Sequence, residues 1–93
     1  MASHFLAKVY VTLKPTVNDP QGLTVRSSLH NLGFAEVGGV RVGKFLEVQL
    51  EAGDREEAGR RVEEMGRQLL ANPVIEQFRF DLEDVPPPTR PSP

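Results

Sequence analysis

The chain has no cysteine and no tryptophan. The first absence excludes disulfides, thiol nucleophiles and thiolate metal sites. Only two histidines occur, His4 and His30. They do not stand at metal-ligand spacing, and each reads as a solvated side chain, one near the terminus and one on a helix flank. No apolar run approaches the ~18 residues that cross a membrane, and MASHFLAKVY lacks the basic and apolar regions of a secretion signal. The chain is therefore expected in the cytoplasm, away from membranes. There is no surplus of positive charge either; the formal net charge is −2. That argues against a nucleic-acid backbone as main partner. Glycine-rich phosphate loops and a GxSxG elbow are missing, and Gly38-Gly39 lacks the lysine and following helix of a phosphate cradle.

What is present is ordinary for a soluble domain: 26% charged and 39% hydrophobic residues in a chain of 93. A chain this short buries only about 60–65% of its unfolded surface, so self-association is an expected supplement. The pattern predicts one domain over residues 4–85. Residues 86–93, rich in proline, read as a disordered tail.

The stretch Val40 to Leu50 lies midway and organises the pattern. Val40, Val42, Leu46, Val48 and Leu50 fall on alternate positions, interrupted by Lys44, as in a half-buried strand. Gly43 within it allows two readings, a hairpin turn or a bend in one long strand. Phe5 to Leu13 alternate likewise and end at Lys14-Pro15. Asp19-Pro20 opens a helix as N-cap and first helical residue, and Gly33 closes it in the left-handed region. Its expected buried stripe is Val25, Leu29 and Leu32.

A second helix follows Ala52-Gly53, with Asp54 as cap and Glu57 completing a capping-box pattern. Its stripe is Ala58, Val62, Met65 and Leu69, and Glu56-Glu57 and Glu63-Glu64 interleave with arginines on the solvent side. Gly59 and Gly66 beside the stripe fit either close packing or tolerated drift. Asn72-Pro73 ends the helix, asparagine by a left-handed turn. Val74, Phe78, Phe80 and Leu82 then alternate with Ile75, Gln77, Arg79 and Asp81 as a last strand.

The fold class is α+β, a small antiparallel sheet covered on one face by two helices. It is βαββαβ-like if Gly43 turns a hairpin, or βαβαβ with one long bent central strand. The other face would show Leu6, Tyr10, Phe45 and Ile75 among polar groups, which points to a partner, and first to another copy of the chain. Arg41, Gly43 and Lys44 form a basic cluster suited to docking a different protein. An RNA-binding sheet is disfavoured, because Gly43-Lys44-Phe45-Leu46-Glu47-Val48 lacks the spaced aromatics of the RNP1 pattern. A small-molecule sensor, with its ligand near Gly38 and Gly39, is the alternative. No catalytic constellation emerges, and the isolated chain is read as no enzyme.

Three stretches together resemble the PurS family: KVYVTLKPTVNDPQG at 8–22, VRVGK at 40–44 and LLANPVIEQFRF at 69–80. The resemblance runs over residues 6–83. MASHF and the tail look like additions to the family core, and Gly38-Gly39 replaces more polar residues. It implies a small α+β subunit of formylglycinamidine ribonucleotide synthase, without catalytic residues or cofactor, acting in purine biosynthesis. It further implies a homodimer or tetramer bridging an ATP-dependent synthetase subunit and a glutamine amidotransferase subunit, with a role in passing ammonia. ATP and glutamine would be used by those partners.

Overall fold

The first strand, β1 (Ser3–Leu13), buries Phe5, Ala7, Val9 and Val11. In the computed structural model, which describes residues 2–86, this strand is the middle one. β2 (Gly43–Ala52) and β3 (Glu76–Val85) flank it in the order β2-β1-β3, both antiparallel to it. The stretch that is central in sequence is thus an edge in space. Between the strands lie α1 (Pro20–Asn31) and α2 (Arg55–Met65), the latter continued by one π-helical turn, Gly66–Leu70. The order is βαβαβ. Gly43 neither turns a hairpin nor bends a strand; it starts β2, opposite Thr12, and residues 40–42 are irregular.

The period-2 reading of β1 holds. Phe5, Ala7, Val9 and Val11 face α2, where Ala58 and Val62 bury against them. Leu46, Val48 and Leu50 of β2 and Phe78, Phe80 and Leu82 of β3 share that face but are only half-buried. One helix of about 10 Å diameter cannot span three strands at ~4.8 Å spacing with their side chains.

Topology decides what each helix does. β1 and β2 are neighbours joined at the same end, with Thr12 opposite Gly43, so α1 need not return along the sheet. β3 runs parallel to β2, so the chain must travel back the sheet's whole length between them, and α2 does this over the apolar face. α1 instead leaves the sheet end, and the molecule is elongated, 54 × 29 × 23 Å. The expected burial of Val25, Leu29 and Leu32 is corrected accordingly: Leu32 is 73% and Val25 40% exposed, and Leu29 is half-buried. Coverage of the sheet falls to α2.

Both helix starts are as read. The Asp19 carboxylate accepts from the Gly22 amide at 2.9 Å and the Asp54 carboxylate from the Glu57 amide at 2.8 Å. Glu57 reaches back to the amide of Gly53, one residue before the cap. Gly33 has φ 102°, as its closing role requires.

The end of α2 differs from expectation. In the π turn, Ala71 donates to the Gly66 carbonyl at 3.0 Å, so one extra residue enters the turn. The stripe rotates by that residue. Leu69 swings out to 83% exposure, and Leu70 packs on the core in its place. Gly66 permits this, since a methyl group there would overlap the Phe78 ring. At Gly59 an added Cβ would meet Leu82 at an ordinary 3.8 Å, so no close approach requires glycine there. Asn72 ends the helix through its side chain, which accepts from the Val74 amide at 3.0 Å, and not through a left-handed backbone. Val74 and Ile75 lie in that turn, exposed, so Ile75 is not on the sheet face and β3 starts at Glu76. From residue 87 onward the proline-rich tail falls outside the described residues.

Candidate assembly interface

The face of the sheet turned away from α2 carries Leu6, Tyr10 and Phe45, as the alternation predicts. Register aligns Phe45, Tyr10 and Arg79 in one row across the three strands. The Tyr10 and Phe45 rings lie 5.1 Å apart, and the Arg79 guanidinium sits 4.0 Å from the Tyr10 ring centre, within cation–π range. The neighbouring row is Glu47, Lys8 and Asp81. Lys8 Nζ donates to Glu83 at 2.7 Å, and that hydrogen bond holds the ammonium above its ordinary pKa. The surface is an aromatic and cationic row at the α1 end of the sheet, passing into a more acidic region.

The basic cluster lies where α1 joins the sheet. Asp19 is buried; besides Gly22 it accepts from the Val42 amide at 2.7 Å. These amides, Val42 first, hold its carboxyl below the usual aspartate range. One side chain thus caps α1 and ties it to the segment entering β2. Gly22 faces the Val40 carbonyl oxygen, where a methyl group would overlap it. Gly43 stands against the Val11 carbonyl oxygen with the same consequence. Arg41 donates to the Lys14 carbonyl at 3.0 Å, and Lys14 Nζ to the Pro73 carbonyl at 2.8 Å. Lys44 is opposite Val11, on the α2 side of the sheet. The three residues share one end of the molecule, but Arg41 and Gly43 also serve the fold, and Lys44 points apart from Phe45.

The histidines are less solvated than expected. His30 Nε2 lies 2.8 Å from the Val37 carbonyl, which accepts, so that nitrogen bears the proton. His4 is 3.4 Å from Glu51. Gly38 and Gly39 line an open cleft of about 320 Å³ with Asp19, Arg26 and Arg41. Its polar groups are already engaged, Asp19 by two amides and Arg26 by the Gly38 carbonyl at 3.1 Å. That leaves little with which to recognise a metabolite. Among the described residues no three His, Asp or Glu side chains gather as metal ligands.

The family model described as PurS, phosphoribosylformylglycinamidine (FGAM) synthase, matches residues 6–84. The chain belongs to the PurS family. It is 46% identical over 81 residues to the PurS subunit of Bacillus subtilis FGAM synthase, covering 87% of this chain and 95% of that one. The Synechocystis PurS subunit is 44% identical over 82 residues, 88% of this chain and 82% of the relative. Thermus thermophilus PurS superposes with a TM-score of 0.80 at 39% identity, covering 89% and 99% of the two chains. A chain of the PurLQS structure from Thermotoga maritima superposes at 0.77 and 28% identity, covering 88% and 98%. This PurS-family chain is accordingly a subunit of FGAM synthase, in purine biosynthesis. No helix among its described residues is long and apolar enough to cross a membrane.

The sequence reading missed one surface, the outer side of α1. A signal was available. In PQGLTVRSSLHN the only formal charge is Arg26, whereas REEAGRRVEEM in α2 is mostly charged.

Proposed function

We propose that this chain is a non-catalytic assembly subunit that holds the synthetase and glutaminase subunits of FGAM synthase together and aids passage of ammonia between them. The observation that carries this reading is its near full-length match to a chain of the PurLQS structure. It acts in the cytoplasm as a homodimer or tetramer, the copies meeting through the sheet face of Leu6, Tyr10 and Phe45. Arg41 and Lys44, either side of Gly43, dock one of the larger subunits. ATP and glutamine are handled by those partners, and no cofactor binds here.

Reconstitution tests this. The chain alone should turn over nothing, and glutamine-dependent amidine formation by the two larger subunits should require it. Full activity without the chain would overturn the reading. The double variant Arg41→Glu, Lys44→Glu should keep its helix and strand content yet weaken co-elution, since facing like charges cost several kcal/mol. Unchanged co-elution and turnover would remove those two residues from the interface.

A further inference from the structure

Two apolar surfaces of the chain lack cover, and they are alike in character. On α1, Val25 and Leu32 are exposed seven residues apart, and Leu29 between them is half-buried. Arg26 is the only formal charge of that helix, and it already donates to the Gly38 carbonyl. On the α2 side of the sheet, Leu46, Val48 and Leu50 of β2 are only half-buried. Lys44 is the single charge that β2 places on that side. The flank over β3 differs. There a cleft of about 480 Å³ beside Phe80 is rimmed by Arg60, Glu63, Glu64 and Arg67. An uncharged helix seated among those groups would take them out of water without pairing them, which is costly. The β2 flank is the matching seat.

The lengths agree as well. Val25 to Leu32 covers about 10 Å along a helix, and Leu46 to Leu50 about 14 Å along a strand. In its own chain α1 does not lie there. It leaves the sheet end and is held by the return segment, with Arg26 donating to Gly38, His30 to Val37, and Val42 to Asp19. A preordered arm gives up less conformational freedom on docking.

We propose that two copies exchange α1, the Val25–Leu29–Leu32 face of each packing over Leu46, Val48 and Leu50 of the other. Each copy gives an arm and receives one about a two-fold axis, so the contact is isologous and closes on itself. Each sheet then carries two helices, its own α2 and the other copy's α1. Area favours the reciprocal form. One side of a twelve-residue helix, about 18 Å long and 10 Å across, covers roughly 300 Å². A single seating buries about 600 Å² over both partners, as crystal contacts do, whereas the exchange buries about 1,200 Å², enough for a stable pair. The inference goes beyond the copy contact proposed above. It uses the opposite face of the sheet from Leu6, Tyr10 and Phe45, so the two contacts do not compete.

The full chain has no cysteine, so introduced thiols are the only ones present. An affinity-tagged Leu32→Cys chain is mixed with untagged Leu46→Cys, Val48→Cys or Leu50→Cys, re-equilibrated and mildly oxidised. At least one of the three mixtures should give the mixed disulfide as its main product. Leu32→Cys mixed with Tyr10→Cys, on the other face, should give little. Leu32→Glu should keep its helices by circular dichroism and weaken one association step in sedimentation equilibrium by about 100-fold. Mixed disulfide no more abundant in any of the three than in the Tyr10 control would overturn the exchange. So would parental self-association of Leu32→Glu, and if that variant also lost the larger subunits, one of them would be the occupant. Linking of copies through Tyr10→Cys alone would overturn the exchange and leave the copy contact proposed above standing. A parent that stays at 10.3 kDa at micromolar concentration would overturn both.

Discussion

α1 and α2 are nearly equal in length, and each opens on an aspartate cap, yet they stand in opposite relations to the sheet. α2 is amphipathic, highly charged outside, and buries Ala58 and Val62 on β1. α1 is nearly uncharged and leaves Val25 and Leu32 exposed and Leu29 half-buried, joined to the rest at a few close contacts around Asp19 and Gly22. The difference is not one of helix propensity. It follows from what each connection must do, since one joins strands that already meet end to end and the other must cross back over the sheet. A helix can therefore be strongly specified by its own sequence and still pack little on its own sheet.

The contrast is broken most severely at Gly22. Gly22→Ala sets a methyl group against the Val40 carbonyl, a backbone atom that cannot swing aside. A cost of about 3 kcal/mol is expected, at the upper end for overpacking. The loss should be local: hydrogen exchange in α1 speeds up while the amides of β1 stay protected. Equal loss in both would show that α1 and the sheet unfold as one unit.

Next in size is a matched pair of truncations. Val62→Ala empties part of the core and should lower stability by about 2 kcal/mol in urea titration. Leu32→Ala removes more carbon but should cost no more than about 0.5 kcal/mol in the isolated chain, because the side chain is already in water. A loss of 2 kcal/mol or more at Leu32 in a verified monomer would mean that α1 packs on its own chain.

The smallest effect expected is one of pH. The Asp19 carboxyl lies below its usual range when folded, because it accepts from Val42 and Gly22. Its ionisation therefore contributes stability that is full above the unfolded value near 3.9 and is lost as pH falls through the lower folded value. Acidification below about pH 4 should loosen α1, and Asp19→Asn should flatten that part of the profile. An unchanged acid limb in the variant would detach Asp19 from the effect.

Local signals were legible. Both aspartate caps, Gly33 and the two faces of β1 follow from side-chain chemistry within four residues or from strict alternation, and the structure keeps them. Leu6, Tyr10 and Phe45 were placed on one face for the same reason. What alternation cannot tell is which strand lies in the middle. Val40 and Val42 continue the rhythm of β2 without pairing, because the chain there is committed to Asp19. The exchange of Leu69 for Leu70 needs a π turn starting at Gly66, which packs against the Phe78 ring from twelve residues further on. The Arg41 and Lys44 cluster was visible as charge, but its hydrogen bond to Lys14 depends on where β1 ends.

His4 pairs in register with Val85, so the start of β1 and the end of β3 lie side by side, at the opposite end of the sheet from the root of α1. Ten residues of strand separate the two ends by about 30 Å. A fluorophore or affinity tag placed before Ser3 or after Val85 would thus sit at the end of the sheet remote from α1. The same adjacency suits a circular permutant in which a short linker joins those two strands and new termini open in the exposed 34–36 segment. Such a rearranged chain would keep every rung of the sheet while cutting the covalent path that leads from α1 back to β2.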